Sequence, residues 1–210
     1  MLIDFFGDSI TEGVGASSVN NCFVERVGQL LNCKVINHGI GGTRFAKQSK
    51  PSDEPRWDLD FCSRLNELNK DADLVFVFGG TNDYGHGDAP IGKIEDKTPE
   101  TFYGACNYIV ENLLKTYKKD QITFILPLHR VNEESPYGDG YKNPSLPLKG
   151  YTNIIIEVLN KHNIKYLDFR NNFGEAENSP LLSDGLHPND KGHDLLARLI
   201  VEFIKSNKLK

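Results

Sequence analysis

Short apolar runs alternate along this chain with stretches whose apolar residues recur every three or four positions. LIDFF (2–6), CKVIN (33–37), DLVFVFGG (73–80), QITFILP (121–127) and IKYLDF (164–169) predict strands. The third is an unbroken apolar run closed by two glycines, which suits a strand buried on both faces. Between them lie helical patterns. Residues 20–31 carry Phe23, Val27, Leu30 and Leu31 at helical spacing, and 57–68 carry Leu59, Cys62, Leu65 and Leu68. A long helix is predicted from Pro99 to about Tyr117, with Thr98 as N-cap and Pro99 at the first helical position. Two more are predicted over residues 149–162 and from Asn189 to about Ser206.

Strand and helix alternate five times. Each parallel strand pair needs a right-handed crossover, so the pattern predicts an α/β fold with helices on both faces of a parallel sheet. It fills the whole chain, 1–210, as one domain, with no internal repeat. In such sheets ligands bind beyond the carboxyl ends of the strands. The loops to search are therefore 7–19, 38–56, 79–98, 127–148 and 169–188.

Composition narrows the partners. With 39% hydrophobic and 25% charged residues the chain has the apolar content for a core and is not a disordered segment. A net charge of −5 offers no attraction to nucleic acid or an anionic membrane. No apolar stretch approaches the ~20 residues of a membrane span. A first strand starting at Leu2 leaves no room for a signal peptide, so a chain beginning at Met1 is expected in the cytoplasm. Cys22, Cys33, Cys62 and Cys106 form no CxxC pair and read as reduced, partly buried thiols. His38, His86, His129, His162 and His193 show no metal-ligand spacing, and no metal or cofactor is expected. His193 reads as a packing or capping residue, His162 as a partly positive ring at a helix C-terminus, and His38 as shaping the loop that holds it.

The first strand-end loop, GDSITEG (7–13), poses a choice between an anion cradle and an exposed nucleophile. Its two carboxylates, Asp8 and Glu12, oppose a bound phosphate, and no Lys or Arg precedes Arg26. GxGxxG and GxxxxGK[ST] are absent, which excludes the common nucleotide loops. Ser9 as nucleophile needs a base and a carboxylate to orient it. SDGLHPND (183–190) supplies Asp184 and His187 three residues apart, bent at Gly185 and pinned by Pro188, with Asn189 or Asp190 to cap the last helix. Oxyanion donors can come from NHGIGGTR (37–44), where glycine lets a backbone N–H approach, and from GGTNDYG (79–85), where Asn82 carries a side-chain NH₂. Taken singly, each segment could equally be an ordinary turn or cap. All four fall at the carboxyl ends of predicted strands, where one pocket can collect them.

GDSIT, Asn37–Gly39–Gly42, GGTND and DGLHPN together resemble the four signature blocks of the SGNH hydrolases, the GDSL-type esterases and lipases. The resemblance runs from Gly7 to Asn189, with the blocks in order. It departs only in Ile10, where many members have leucine. It implies a three-layer α/β/α, flavodoxin-like fold with five parallel strands in the order 2-1-3-4-5. It also implies Ser9 as nucleophile, His187 as general base and acid, and Asp184 as its orienting carboxylate. The Ser9 N–H, the Gly42 N–H and the Asn82 side chain would form the oxyanion hole. The family needs no metal.

The loops bear on the substrate. Residues 79–92 are polar and small, and 129–147 carry Arg130, Tyr137, Tyr141 and several hydroxyls and amides. Arg44, Phe45 and Trp57 follow the second strand. Planar rings among hydrogen-bond formers suit a sugar better than a lipid tail, which wants a continuous apolar groove. Arg44, Tyr84, His86, His129 and Arg130 are the candidate substrate contacts. The reading is a serine esterase for short acyl groups, foremost O-acetyl groups on a carbohydrate or oligosaccharide. The alternatives are a lysophospholipase or thioesterase for longer chains, and a non-catalytic carbohydrate-binding protein.

Overall fold

The computed structural model describes residues 1–140 and 145–209, so Tyr141 lies outside the described residues. Five strands, β1 (Leu2–Gly7), β2 (Lys34–Gly39), β3 (Leu74–Phe78), β4 (Ile122–Ile125) and β5 (Lys165–Leu167), form one sheet in the order β2-β1-β3-β4-β5. Every pairing is parallel. The helices are α1 (Ser9–Glu12), α2 (Phe23–Leu31), α3 (Phe61–Arg64), α4 (Thr81–His86), α5 (Phe102–Thr116), α6 (Leu148–His162), α7 (Arg170–Phe173) and α8 (Asp190–Ser206).

The alternation of side chains along the central strands builds two cores. Ile3, Phe5, Leu74, Phe76 and Phe78 point to one face and pack with α2 and α8. Phe6, Val75, Val77, Ile122 and Phe124 point to the other, toward α3, α5 and α6. β3 is buried throughout, whereas the edge strands β2 and β5 are only partly covered. Register then sets the site. Gly7 stands opposite Gly39 on one side and Phe78 on the other, so β1, β2 and β3 end level and discharge their loops together.

Two helices differ from the pattern. Residues 57–68 are not one helix but a 3₁₀ turn (Pro55–Asp58), α3, and another 3₁₀ turn (Leu65–Glu67). Asp60 interrupts the run: its backbone is extended and its carboxylate accepts from Ser63 N at 2.8 Å, restarting the helix as an N-cap. The Phe61 N–H meanwhile donates to the Arg44 carbonyl at 2.8 Å. The long helix is capped by Thr101, whose hydroxyl accepts from Gly104 N at 3.0 Å, not by Thr98. A Cβ on Gly104 would lie 2.1 Å from the Thr98 carbonyl, so residues 98–101 fold across the first turn and Pro99 stays outside it. α8 is capped by Asn189, which accepts from Lys191 N and Gly192 N.

His193 is fully buried on α8, where Nδ1 accepts from Phe23 N and Nε2 donates to the Val14 carbonyl, each at 3.3 Å. His38 Nε2 meets Asp4 Oδ2 at 3.2 Å. His162 does end α6, but burial, with Lys161 nearby, lowers its pKa, so the ring is neutral and donates to Asn107 Oδ1 at 3.0 Å. Among the described residues no helix is long and apolar enough to cross a membrane.

Candidate active site

Gly7 ends β1 tightly: a Cβ there would lie 3.0 Å from the Phe78 carbonyl and collide with Thr11. The chain turns at once into α1. Asp8 caps it by accepting from Ile10 N at 3.0 Å. That bond takes the Ile10 N–H, and the Ser9 N–H, at the head of the turn, has no acceptor within the helix. At the far end of the chain, Asp184 Oδ1 accepts from the backbone N–H of Leu186 at 3.0 Å and of His187 at 2.7 Å. This turn folds the carboxylate onto its own histidine: Asp184 Oδ2 lies 2.7 Å from His187 Nδ1. His187 Nε2 lies 2.9 Å from Ser9 Oγ. Residues 178 positions apart in sequence thus form one continuous relay. Partial burial pushes the Asp184 carboxyl up, but the His187 N–H and ring outweigh it and hold it below the usual carboxylate value. It stays ionised opposite the ring.

The glycine turn and Asn82 approach from the neighbouring strand ends. Asn37 anchors the turn after β2 to α1 by donating to the Thr11 carbonyl at 2.8 Å. Gly41 lies over Ser9: a Cβ on it would be 3.5 Å from Ser9 Cβ. Gly42 has φ +79°, a conformation that favours glycine. Asn82, in the first turn of α4, donates from Nδ2 to the Thr43 carbonyl at 2.9 Å, which leaves its second N–H for another acceptor.

The scaffold beneath these groups holds buried ionisable side chains. Arg64 is buried and donates to the His38 carbonyl at 2.5 Å and to Thr43 Oγ1 at 3.2 Å, tying the end of β2 to the glycine turn. Asp83 accepts from Phe45 N and Ala46 N, each at 2.9 Å, and its burial raises the carboxyl to about 6. Asp8 is raised further, to about 7, by burial, with Asp83 adding to the effect and the Ile10 N–H opposing it. A carboxyl raised in the folded state holds its proton more tightly there than when unfolded. Its contribution to stability is therefore greatest below about pH 4 and declines as pH rises toward 7. Asp8→Asn keeps the cap oxygen and cannot ionise. Its melting temperature is expected to gain on the native chain steadily between pH 4 and 7. A difference that does not change over that range would refute the assignment.

Comparison with known proteins shows the family. A model of the GDSL-like Lipase/Acylhydrolase family matches residues 5–195. The chain belongs to that family. A solved protein from Lactobacillus plantarum is 25% identical, with a TM-score of 0.79 over 97% of this chain and 96% of that one. The lipase/acylhydrolase from Enterococcus faecalis is 24% identical, with a TM-score of 0.66 over 98% and 96%. A protein from Chitinophaga pinensis described as "a possible lipase" is 21% identical, with a TM-score of 0.70 over 100% and 99%. No curated protein sequence matches the chain.

This GDSL-like lipase/acylhydrolase family member has a cleft of about 1120 Å³, lined among others by Arg44, Ser52, Trp57, His86, Asp88 and Tyr151, with none of Ser9, Asp184 and His187 in its wall. Trp57 joins the cleft to the glycine turn, since a Cβ on Gly42 would lie 2.0 Å from its Cδ1. Its indole lies 4.8 Å from the His86 ring. The proposed substrate contacts divide here. His86 lines the cleft. Arg44 lies in its wall but is 1% exposed; it donates to His86 Nδ1 and to the Trp57 carbonyl, each at 2.6 Å. It holds the Trp57 backbone and the His86 ring in place. Tyr84 is fully buried and donates its hydroxyl to the Asn132 carbonyl, which removes it from the rim. Arg130 is also buried, paired with Asp139 and 5.4 Å above the Tyr84 ring, where it braces the start of α4. His129 Nδ1 is engaged by Glu133 at 2.8 Å, and His129 is not part of the cleft wall. These placements share one cause: polar groups on long loops found partners within the fold.

Proposed function

We propose that this protein is a serine esterase that hydrolyses short-chain carboxylic esters through an acyl-enzyme, with O-acetyl groups on carbohydrate as its natural substrates. The carrying observation is the unbroken Asp184–His187–Ser9 hydrogen-bond relay. His187 Nε2 takes the proton as Ser9 Oγ bonds to the ester carbon, and the carbonyl electrons move to oxygen. The Ser9 N–H, the Gly42 N–H and the second Asn82 N–H receive that oxyanion. When the intermediate collapses, the ester C–O bond breaks and His187 returns the proton to the departing alcohol. Water, deprotonated by the same ring, then releases the acid and restores Ser9.

The cleft supports the sugar reading. It mixes the Trp57 and His86 rings with Ser49, Ser52, Lys50, Asp53 and Asp88, a wall that suits stacking beneath hydroxyls and charges an alkyl chain for displacing water from polar groups. A panel of acetylated sugars and p-nitrophenyl esters of graded length, run beside Ser9→Ala, tests it. Acetyl esters are expected to turn over faster than palmitoyl esters, and acetylated sugars to be cleaved with Ser9-dependent rates. Preference for the palmitoyl ester would reassign the protein to long acyl chains.

A further inference from the structure

The turn carrying Gly42 is gripped from outside itself. Gly41 donates its N–H to Glu12 Oε2 at 2.7 Å. The other oxygen of that carboxylate is ion-paired with Arg56. Glu12 closes α1, three residues after Ser9, so the group holding Gly41 rides on the same turn of chain as the nucleophile. Arg56 stands next to Trp57 in the 3₁₀ turn Pro55–Asp58. Trp57 in turn closes over Gly42 and is fixed from behind by Arg44. Consecutive glycines have the greatest backbone freedom of any dipeptide, whereas an oxyanion donor must be held to within about half an ångström. Something must restrict the Gly41–Gly42 turn, and a charge-assisted hydrogen bond from a carboxylate to a backbone N–H is directional enough to do so.

We infer that Glu12, itself oriented by Arg56, is a positioning residue that sets the Gly41–Gly42 turn so that the Gly42 N–H meets the developing oxyanion. The inference rests on the serine-esterase reading, in which Gly42 is an oxyanion donor. Glu12 and Arg56 are 32% and 48% exposed as side chains, and a pair this open to water contributes little to global stability. Its effect is local, on the geometry of the turn.

The test compares Glu12→Ala, Glu12→Gln, Arg56→Ala and Ser9→Ala in the full chain, with p-nitrophenyl acetate as substrate and melting curves in parallel. Glu12→Ala is expected to lower kcat about 10- to 100-fold, short of losing a donor outright, with KM unchanged. Glu12→Gln keeps an oxygen for the Gly41 N–H and is expected to recover most of the loss. Arg56→Ala is expected to lower kcat less than Glu12→Ala, again without moving KM. Melting temperatures should stay close to native. Should Glu12→Ala fold poorly, Glu12→Gln and Arg56→Ala decide the matter. The inference is overturned if Glu12→Gln is as impaired as Glu12→Ala, if the losses appear in KM alone, or if Glu12→Ala and Arg56→Ala both keep native kcat. Hydrolysis persisting in Ser9→Ala would instead overturn the esterase reading, and this inference with it. An inactive Ser9→Ala beside an unaffected Glu12→Ala would defeat only the role of Glu12.

Discussion

Ser9→Ala is expected to lower kcat for ester hydrolysis by on the order of 10⁴- to 10⁶-fold while the chain remains folded. The first half follows from chemistry: no other hydroxyl is shown in contact with His187 Nε2 among the described residues, and an alcohol is a feeble nucleophile without such a base. The second half follows from how α1 is built. Its cap is the Asp8 carboxylate, and the Ser9 carbonyl, which accepts from Gly13 N and Val14 N, belongs to the backbone. Removing Oγ therefore costs one side-chain hydrogen bond at a nearly buried position and leaves the turn in place. Initial rates with p-nitrophenyl acetate, beside a melting curve, check both halves. Native rates from a clean preparation would remove Ser9 from the role.

Asp184→Asn is expected to lower kcat by on the order of 10³- to 10⁴-fold, with KM almost unmoved. The carboxylate has two separable tasks. Oδ1 accepts from Leu186 N and His187 N and so shapes the loop; Oδ2 accepts from His187 Nδ1 and so selects the tautomer. Asparagine retains an oxygen for the first task and presents an NH₂ for the second. The His187 Nδ1 lone pair must then accept, the ring proton moves to Nε2, and Ser9 Oγ–H meets an N–H instead of a base. The geometry survives and the acid–base chemistry does not. Asp184→Ala would remove both tasks and disturb the loop as well, so a loss in Asp184→Asn no larger than a few-fold would refute the orienting role specifically.

Much of the candidate site is legible in the sequence alone. Ser9, Asn82, Asp184 and His187, the groups of the proposed site, stand out because each sits in a local pattern: a turn directly after a strand, a short Asp–His spacing around Gly185, an amide following two glycines. What brings them together is the register of β1, β2 and β3, which follows from the same alternation of apolar runs. The supporting residues were less legible. Glu12 looked like an obstacle to anion binding, and it holds Gly41. Arg44 and Arg130 looked like hands for a substrate, and both are buried braces. Arg64 lay unnoticed in an apolar pattern, though an arginine inside such a pattern signals a buried partner.

The sequence by itself determined the α/β architecture, the order of its elements and the groups able to carry acyl transfer, because hydrophobic periodicity and local turn chemistry are written in neighbouring residues. Only the tertiary structure decided where Asp60 breaks a helix, which threonine caps α5, which loop side chains face the cleft and which are spent inside the fold. Those outcomes depend on hydrogen-bond partners dozens of residues away, such as Glu12 with Gly41 or Arg44 with Trp57 and His86. A polar side chain taken out of water goes to whichever partner the fold brings within reach, and no local pattern names that partner in advance.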